Sequence, residues 1–337
     1  MSLDTKIQWC DSTVNPTMGC EGCELWTSKV KKCYAGMLHV RFGGITRGYS
    51  PTFEELTYWR GRMTTAARWP DLCGKERPQK RWLDGLPRLI FVSDMSDSLS
   101  GVVPFDFLEK EVVRNATSQL GQRHRWLWLT KRPDRMARFS EWLFKRGIVW
   151  PENLWAGTSI TTQGTTNRIK HLLRVGNDLT LRFLSIEPQY EPLDLTRWLT
   201  DLDWIIHGGE SGHDSTPFHI EWALDLIEQC KAHHIPYFLK QLGTTVIRNG
   251  SRLRFNDYHA GDWTEWPDRL RVRQIPIKAT ISSANRPERN GKPKSKAELS
   301  AIAKKAWATR RENEKKRKRS DAALKAWQTR RSRQPEQ

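Results

Sequence analysis

Cys20, Cys23 and Cys33 are the residues whose type and spacing most directly suggest chemistry. They are three of six cysteines, in the pattern Cys-x2-Cys-x9-Cys, and follow the turn-forming run Asn15-Pro16-Thr17-Met18-Gly19. Thiolates clustered in a loop are ligands for soft metals and iron–sulfur clusters. A closed zinc site or an electron-transfer cluster takes four protein ligands, whereas three leave one metal position open to water, substrate or a cofactor. The expectation is a reactive metal centre. Two blander arrangements compete: a closed zinc site with His39 as fourth ligand, Cys20-x2-Cys23-x9-Cys33-x5-His39, and a disulfide with one thiol spare. The start, Met1-Ser2-Leu3-Asp4-Thr5-Lys6, lacks the basic-then-apolar run of a secretory leader, which points to a reducing compartment and away from the disulfide.

A second set of candidates recurs after apolar runs. Asp94, Ser96 and Asp97 follow residues 89–92; Thr130, Lys131 and Arg132 follow 126–129; Ser159 follows 154–157; Glu187 follows 181–184; Gly209, Glu210 and Ser211 follow 204–207; Lys240 and Gln241 follow 236–239. Any one of these could simply cap or start a helix. The same placement after six runs argues for a shared polar site.

The elements that must position these residues are short apolar strands alternating with helical stretches near 107–119, 134–145, 165–173, 193–200 and 220–233. Such alternation predicts βαβ units and a parallel sheet. With six such strands and one more near the cysteines, the expected α/β fold is a (β/α) barrel of the TIM type, complete or partial, rather than an open doubly wound sheet. In a barrel the residues after each strand converge on the C-terminal rim, where active sites of this fold lie. Earlier in the chain, Ser50 as N-cap and Pro51 at the first position predict an amphipathic helix over 50–69.

The ordered motifs Ile7-Gln8-Trp9-Cys10-Asp11, Val14-Asn15-Pro16, Gly19-Cys20, Cys33-Tyr34-Ala35, Phe91-Val92-Ser93-Asp94-Met95-Ser96-Asp97, Leu129-Thr130-Lys131-Arg132-Pro133, Phe183-Leu184-Ser185-Ile186-Glu187-Pro188, Gly208-Gly209-Glu210-Ser211-Gly212 and Leu239-Lys240-Gln241 resemble a phage-associated three-cysteine-motif family of unknown function, related to radical S-adenosylmethionine (SAM) proteins. The likeness covers about residues 5–270. It implies a radical SAM barrel in which Cys20, Cys23 and Cys33 hold a 4Fe-4S cluster, the fourth iron binds SAM, and an electron donor reduces the cluster to release a 5'-deoxyadenosyl radical. Gly208-Gly209-Glu210 looks like the Gly-Gly-Glu with which many radical SAM enzymes hold the SAM amino group, and with Ser159 it forms the expected cofactor-binding set. Asp94, Lys131, Glu187 and Lys240 are the expected catalytic residues.

Charge divides the chain. Of 56 Lys and Arg and 38 Asp and Glu, residues 271–337 carry 21 and 6, which leaves 35 and 32 for residues 1–270. A nearly neutral body with a strongly basic appendage predicts a polyanionic partner, nucleic acid first and DNA ahead of RNA. After a Ser-, Pro- and Lys-rich linker over 271–299, Lys305-Ala306-Trp307-Ala308-Thr309-Arg310-Arg311 recurs at an offset of 20 as Lys325-Ala326-Trp327-Gln328-Thr329-Arg330-Arg331. Lys305, Trp307, Arg310, Arg311, Lys325, Trp327, Arg330 and Arg331 are therefore the expected nucleic-acid contacts, basic groups for phosphates and tryptophans for stacking. No stretch approaches the roughly 20 apolar residues of a membrane span, so a cytoplasmic location, bacterial or phage-encoded, is expected.

The sequence thus predicts a barrel domain over 1–270, a linker over 271–299 and a nucleic-acid-binding tail over 300–337. The expected function is a radical SAM-like enzyme that modifies or repairs nucleic acid or a nucleotide precursor. The alternatives are a zinc-bearing nucleic-acid-binding protein without redox chemistry, and a barrel lyase using Lys131 or Lys240 as a Schiff-base amine.

Overall fold

The computed structural model describes residues 1–276. Seven strands form one sheet: β1 Ser12–Val14, β2 Leu89–Val92, β3 Arg125–Thr130, β4 Leu154–Ser159, β5 Arg182–Ile186, β6 Trp204–Gly208 and β7 Tyr237–Gln241. Their order in the sheet is their order in the chain, and every neighbouring pair is parallel. β1 and β7 are the two edges, so the sheet curls as a partial barrel without closing. The six runs read from the sequence are all strands, and β1 is the further one just before the cysteines.

Both faces of this sheet are buried, which is why its strands read as continuous apolar runs rather than clean alternations. Ile90, Val92, Trp126, Trp128, Leu184 and Ile205 pack outward in the larger core under the helices. Phe91, Leu127, Trp155, Phe183, Trp204, Ile206 and Phe238 fill the hollow, with Trp9 inserted among them 4.6 Å from the Phe91 ring. Gly157 is required by this filling, since a Cβ there would lie 2.2 Å from the Phe183 ring. The N-terminal end of the hollow is stoppered by polar groups that satisfy backbone. Arg77 pairs with buried Asp11 at 3.1 Å and donates to the Leu86 carbonyl at 2.7 Å, while the Lys80 ammonium donates to the carbonyls of Thr5, Ile7 and Cys10.

The principal helices are α1 Tyr34–Phe42, α2 Pro133–Lys145 and α3 Ile220–Ala232. α2 starts where the sequence suggests, with Pro133 at the first helical position and its missing N–H costing nothing. The helix expected over 50–69 shrinks to Arg62–Ala67. Thr57–Tyr58 pairs antiparallel with Thr17–Met18, the Trp59 amide donates to the Pro16 carbonyl at 2.8 Å, and Gly61 turns the chain at φ 82°. Tertiary pairing with the segment before Cys20 has overridden a favourable local helix signal.

Residues 271–276 close the body against β7: the Leu239 amide donates to Val272 O, and Arg273 lies over the Trp82 ring at 4.2 Å. No helix among the described residues is long and apolar enough to cross a membrane. Lys305, Trp307, Arg310, Arg311, Lys325, Trp327, Arg330 and Arg331 lie outside the described residues.

Candidate functional site

Strand parity explains which predicted residues meet. Side chains two apart share a face, so the inward series Leu127–Leu129, Trp155–Gly157, Phe183–Ser185, Trp204–Ile206 and Phe238 continue upward as Lys131, Ser159, Glu187, Gly208 and Lys240. Lys240 and Glu187 form an ion pair at 2.8 Å, with Ser185 Oγ 3.4 Å from the same carboxylate. Gly208 and Gly209 allow strands and loop to approach: a Cβ on Gly209 would sit 2.2 Å from the Leu242 carbonyl. Asp94 is placed apart from this cluster, on the opposite parity at the open edge beside β1, where it accepts from Asn15 Nδ2. Burial raises its carboxyl above the usual carboxylate range, against the pull of the Asn15 hydrogen bond.

The loop from Cys20 to Cys33 lies over this rim and is clamped to it by charge. Glu24 accepts both guanidinium nitrogens of Arg168, at 3.0 and 2.8 Å, and stands 3.7 Å from the Lys131 ammonium. Burial alone would raise the Glu24 carboxyl, but these two cations bring it down to about 2. Arg132 reaches Asp97 at 3.3 Å, Glu21 at 3.5 Å and the Gly22 carbonyl at 2.9 Å. Asp97 in turn accepts from Thr130 Oγ1 and the Lys131 amide. On the far side Lys32 pairs with Glu210 at 3.2 Å, and Glu210 also accepts from Tyr190 OH at 3.1 Å and the Thr216 amide at 2.7 Å. Between loop and rim lies a cleft of about 460 Å³ lined by Glu24, Leu25, Val30, Lys32, Tyr190 and four threonines.

The sequence reading missed Glu21, Glu24, Lys32, Arg168 and Tyr190. Its one available signal was the pair of acids inside Cys20-Glu21-Gly22-Cys23-Glu24, which require counter-charges once the loop is covered. Arg168 lies in the helical stretch expected over 165–173, and nothing local shows that its turn faces the rim.

The cysteines correct the leading expectation. Among the described residues no group of three or more His, Cys, Asp or Glu side chains is placed to hold a metal ion. Cys20 is buried with Met18, Trp26, Ala35, Phe53 and Met95, its sulfur 3.8 Å from an Arg132 nitrogen. Burial raises the Cys23 thiol despite Lys131, and the Cys33 thiol despite the Gly36 and Ala35 amides at the start of α1. The 4Fe-4S cluster, SAM binding and the radical enzyme expected with them are overturned. His39 does not complete a zinc site either: it is buried between the Tyr49 and Phe53 rings, with Nδ1 on the Ala35 carbonyl. All six cysteines are free thiols. The lyase alternative has no support, because Lys131 and Lys240 are both held in ion pairs.

No curated protein and no solved structure matches the chain. The likeness to a phage-associated three-cysteine radical SAM family is also corrected: the family profile that matches the chain has no assigned function and brings with it neither a cysteine-cluster motif nor a phage association. Its match takes in the whole half-barrel and runs on through most of the basic tail, over residues 4–328, and the chain accordingly belongs to the protein family of unknown function DUF5131.

Proposed function

We propose that the chain binds nucleic acid through its basic C-terminal part, and that the half-barrel rim beneath the cysteine loop accommodates a polar unit of that partner. The observation that carries this reading is the charge distribution, 21 Lys and Arg against 6 Asp and Glu over residues 271–337 beside a nearly balanced 35 and 32 over residues 1–270. So basic an appendage gains affinity for a polyanion by counterion release. In this reading residues 1–270, with 271–276 closing against β7, are the body, the rest of 271–299 is the linker and 300–337 the binding tail. Lys305, Arg310, Arg311, Lys325, Arg330 and Arg331 contact phosphates, and Trp307 and Trp327 stack on bases.

The rim adds a place for a ligand rather than net charge. Lys131, Lys240, Glu187 and Glu210 supply donors and acceptors of both signs, and each is already paired within the protein. A ligand that enters exchanges these ion pairs for its own hydrogen bonds, which favours a group bearing both donors and acceptors over a simple anion. Ser159 and the Gly208-Gly209 backbone border the same hollow, and Asp94 marks its open edge.

The test is a salt titration of labelled DNA and RNA binding by the full chain and by a full-length variant with Lys305, Arg310, Arg311, Lys325, Arg330 and Arg331 changed to Gln. The wild type should lose affinity steeply with salt, and the variant should bind more weakly with a slope shallower by up to about five, near one per phosphate contact removed. Equal affinities and equal slopes would refute the reading.

A further inference from the structure

Between Leu25 and Phe53 the chain has five Lys and Arg and no acid. This segment holds α1, whose buried face, Ala35, Gly36 and His39, packs under the cysteine loop. Gly36 allows that contact, since a Cβ there would meet the Trp26 ring at 2.4 Å. The opposite face is apolar and open to solvent. Of the twelve large apolar side chains exposed among the described residues, four fall here: Tyr34 at 67 %, Met37 at 58 %, Val40 at 78 % and, just beyond the helix, Ile45 at 83 %. Tyr34, Met37 and Val40 are spaced by three and share one side of the helix. Lys29, Arg41 and Arg47 of the same segment are exposed, and no ion pair among the described residues takes them. An apolar stripe of this kind on a soluble surface marks an interaction site.

We propose that the exposed face of α1 is a second contact surface for nucleic acid, one that receives unpaired bases of a single strand on Tyr34, Met37 and Val40 while Lys29, Arg41 and Arg47 contact its phosphates. Charge selects this occupant. Lys31 and Lys32 are paired with Glu54 and Glu210, so a second copy seated face to face would set the three uncompensated cations Lys29, Arg41 and Arg47 against their own copies with no acid in either segment, a repulsive arrangement. A polyanion is complementary, and a flat ring suits the exposed Tyr34 as a stacking partner. The proposal rests on the nucleic-acid reading above and adds to it the surface on the body that engages bases.

The experiment uses the full chain, a labelled 15-nucleotide oligothymidylate and its duplex counterpart. Tyr34→Ser should weaken single-strand binding by about tenfold and duplex binding by less, because only unpaired bases stack. Lys29→Glu with Arg41→Glu and Arg47→Glu should weaken both and flatten the salt dependence. All these positions are exposed, and as a measurement independent of substitution, an oligonucleotide bearing 5-iodouracil should photo-crosslink to Tyr34 in the wild type. Tail-dependent binding that neither variant changes, with no crosslink in residues 29–47, overturns this surface alone. Absence of all oligonucleotide binding overturns the functional reading together with it. Self-association lost on Met37→Ser with Val40→Ser, or binding to phosphatidylserine vesicles lost with oligonucleotide binding intact, would assign the face to a second copy or to a lipid surface instead.

Discussion

Replacing Glu24 by Gln removes the charge that clamps the cysteine loop to the rim, and its cost can be worked from the geometry. The carboxylate faces Arg168 nitrogens at 3.0 and 2.8 Å and Lys131 at 3.7 Å, and its pKa falls from an ordinary 4.5 to about 2. At about 1.4 kcal/mol per unit this difference would be worth about 3 kcal/mol in a site wholly withdrawn from water. The Glu24 side chain is 32 % exposed, so solvent screening reduces the contribution to about 1–2 kcal/mol. A depressed carboxyl stabilises the fold above its unfolded value and loses that contribution as pH falls through its folded value, here between 4.5 and about 2. Urea unfolding of wild type and Glu24→Gln should therefore differ by about 1–2 kcal/mol at pH 7 and converge toward pH 2. Limited proteolysis should cut the variant first between residues 20 and 33. A double-mutant cycle with Arg168→Met should show coupling of the same size, because the two side chains share two hydrogen bonds. Parallel pH curves, or strictly additive effects of the two substitutions, would refute the clamp.

Gly157→Ala should destabilise the half-barrel by about 1–3 kcal/mol, the range for overpacking a filled core, since its Cβ would fall 2.2 Å from Phe183, itself braced by Trp204 at 5.9 Å. Phe183→Leu in the same chain should recover part of that loss in a thermal melt, and additive losses would show that the clash is relieved elsewhere. His207 is fully buried beside Tyr237 OH, and burial pushes its pKa from 6.5 down to about 3. The unfolded chain then binds the extra proton, so stability present above pH 6.5 should be lost on acidification toward 3, at up to about 1.4 kcal/mol per unit. In His207→Leu the acid limb of the stability curve should become shallower by one proton; an unchanged slope would place the acid sensitivity elsewhere.

Local sequence determined the parallel sheet. Runs such as Leu89–Val92 and Trp204–Gly208 are apolar without a break because both faces are covered, and their polar continuations, Lys131, Glu187 and Lys240, follow from a strand's two-residue period. The basic tail is likewise a property of composition, legible without coordinates. What the cysteines do was not legible. Spacing says only that three thiols are near in the chain; whether their sulfurs converge depends on Trp26, Phe53 and Arg132, and the last of these is 112 residues from Cys20. The same holds for Asp94, which follows β2 as the pattern requires but has the wrong parity for the Lys131 and Glu187 cluster and turns to Asn15. It holds too for residues 50–69, where strong helix signals lost to strand pairing with Thr17–Met18. Sequence period sets which way a side chain faces, because that is decided within two or four residues. Charge pairing across the rim, the packing of Cys20 among Trp26, Phe53 and Met95 and the open face of α1 depend on distant segments meeting, and only the tertiary structure decided them.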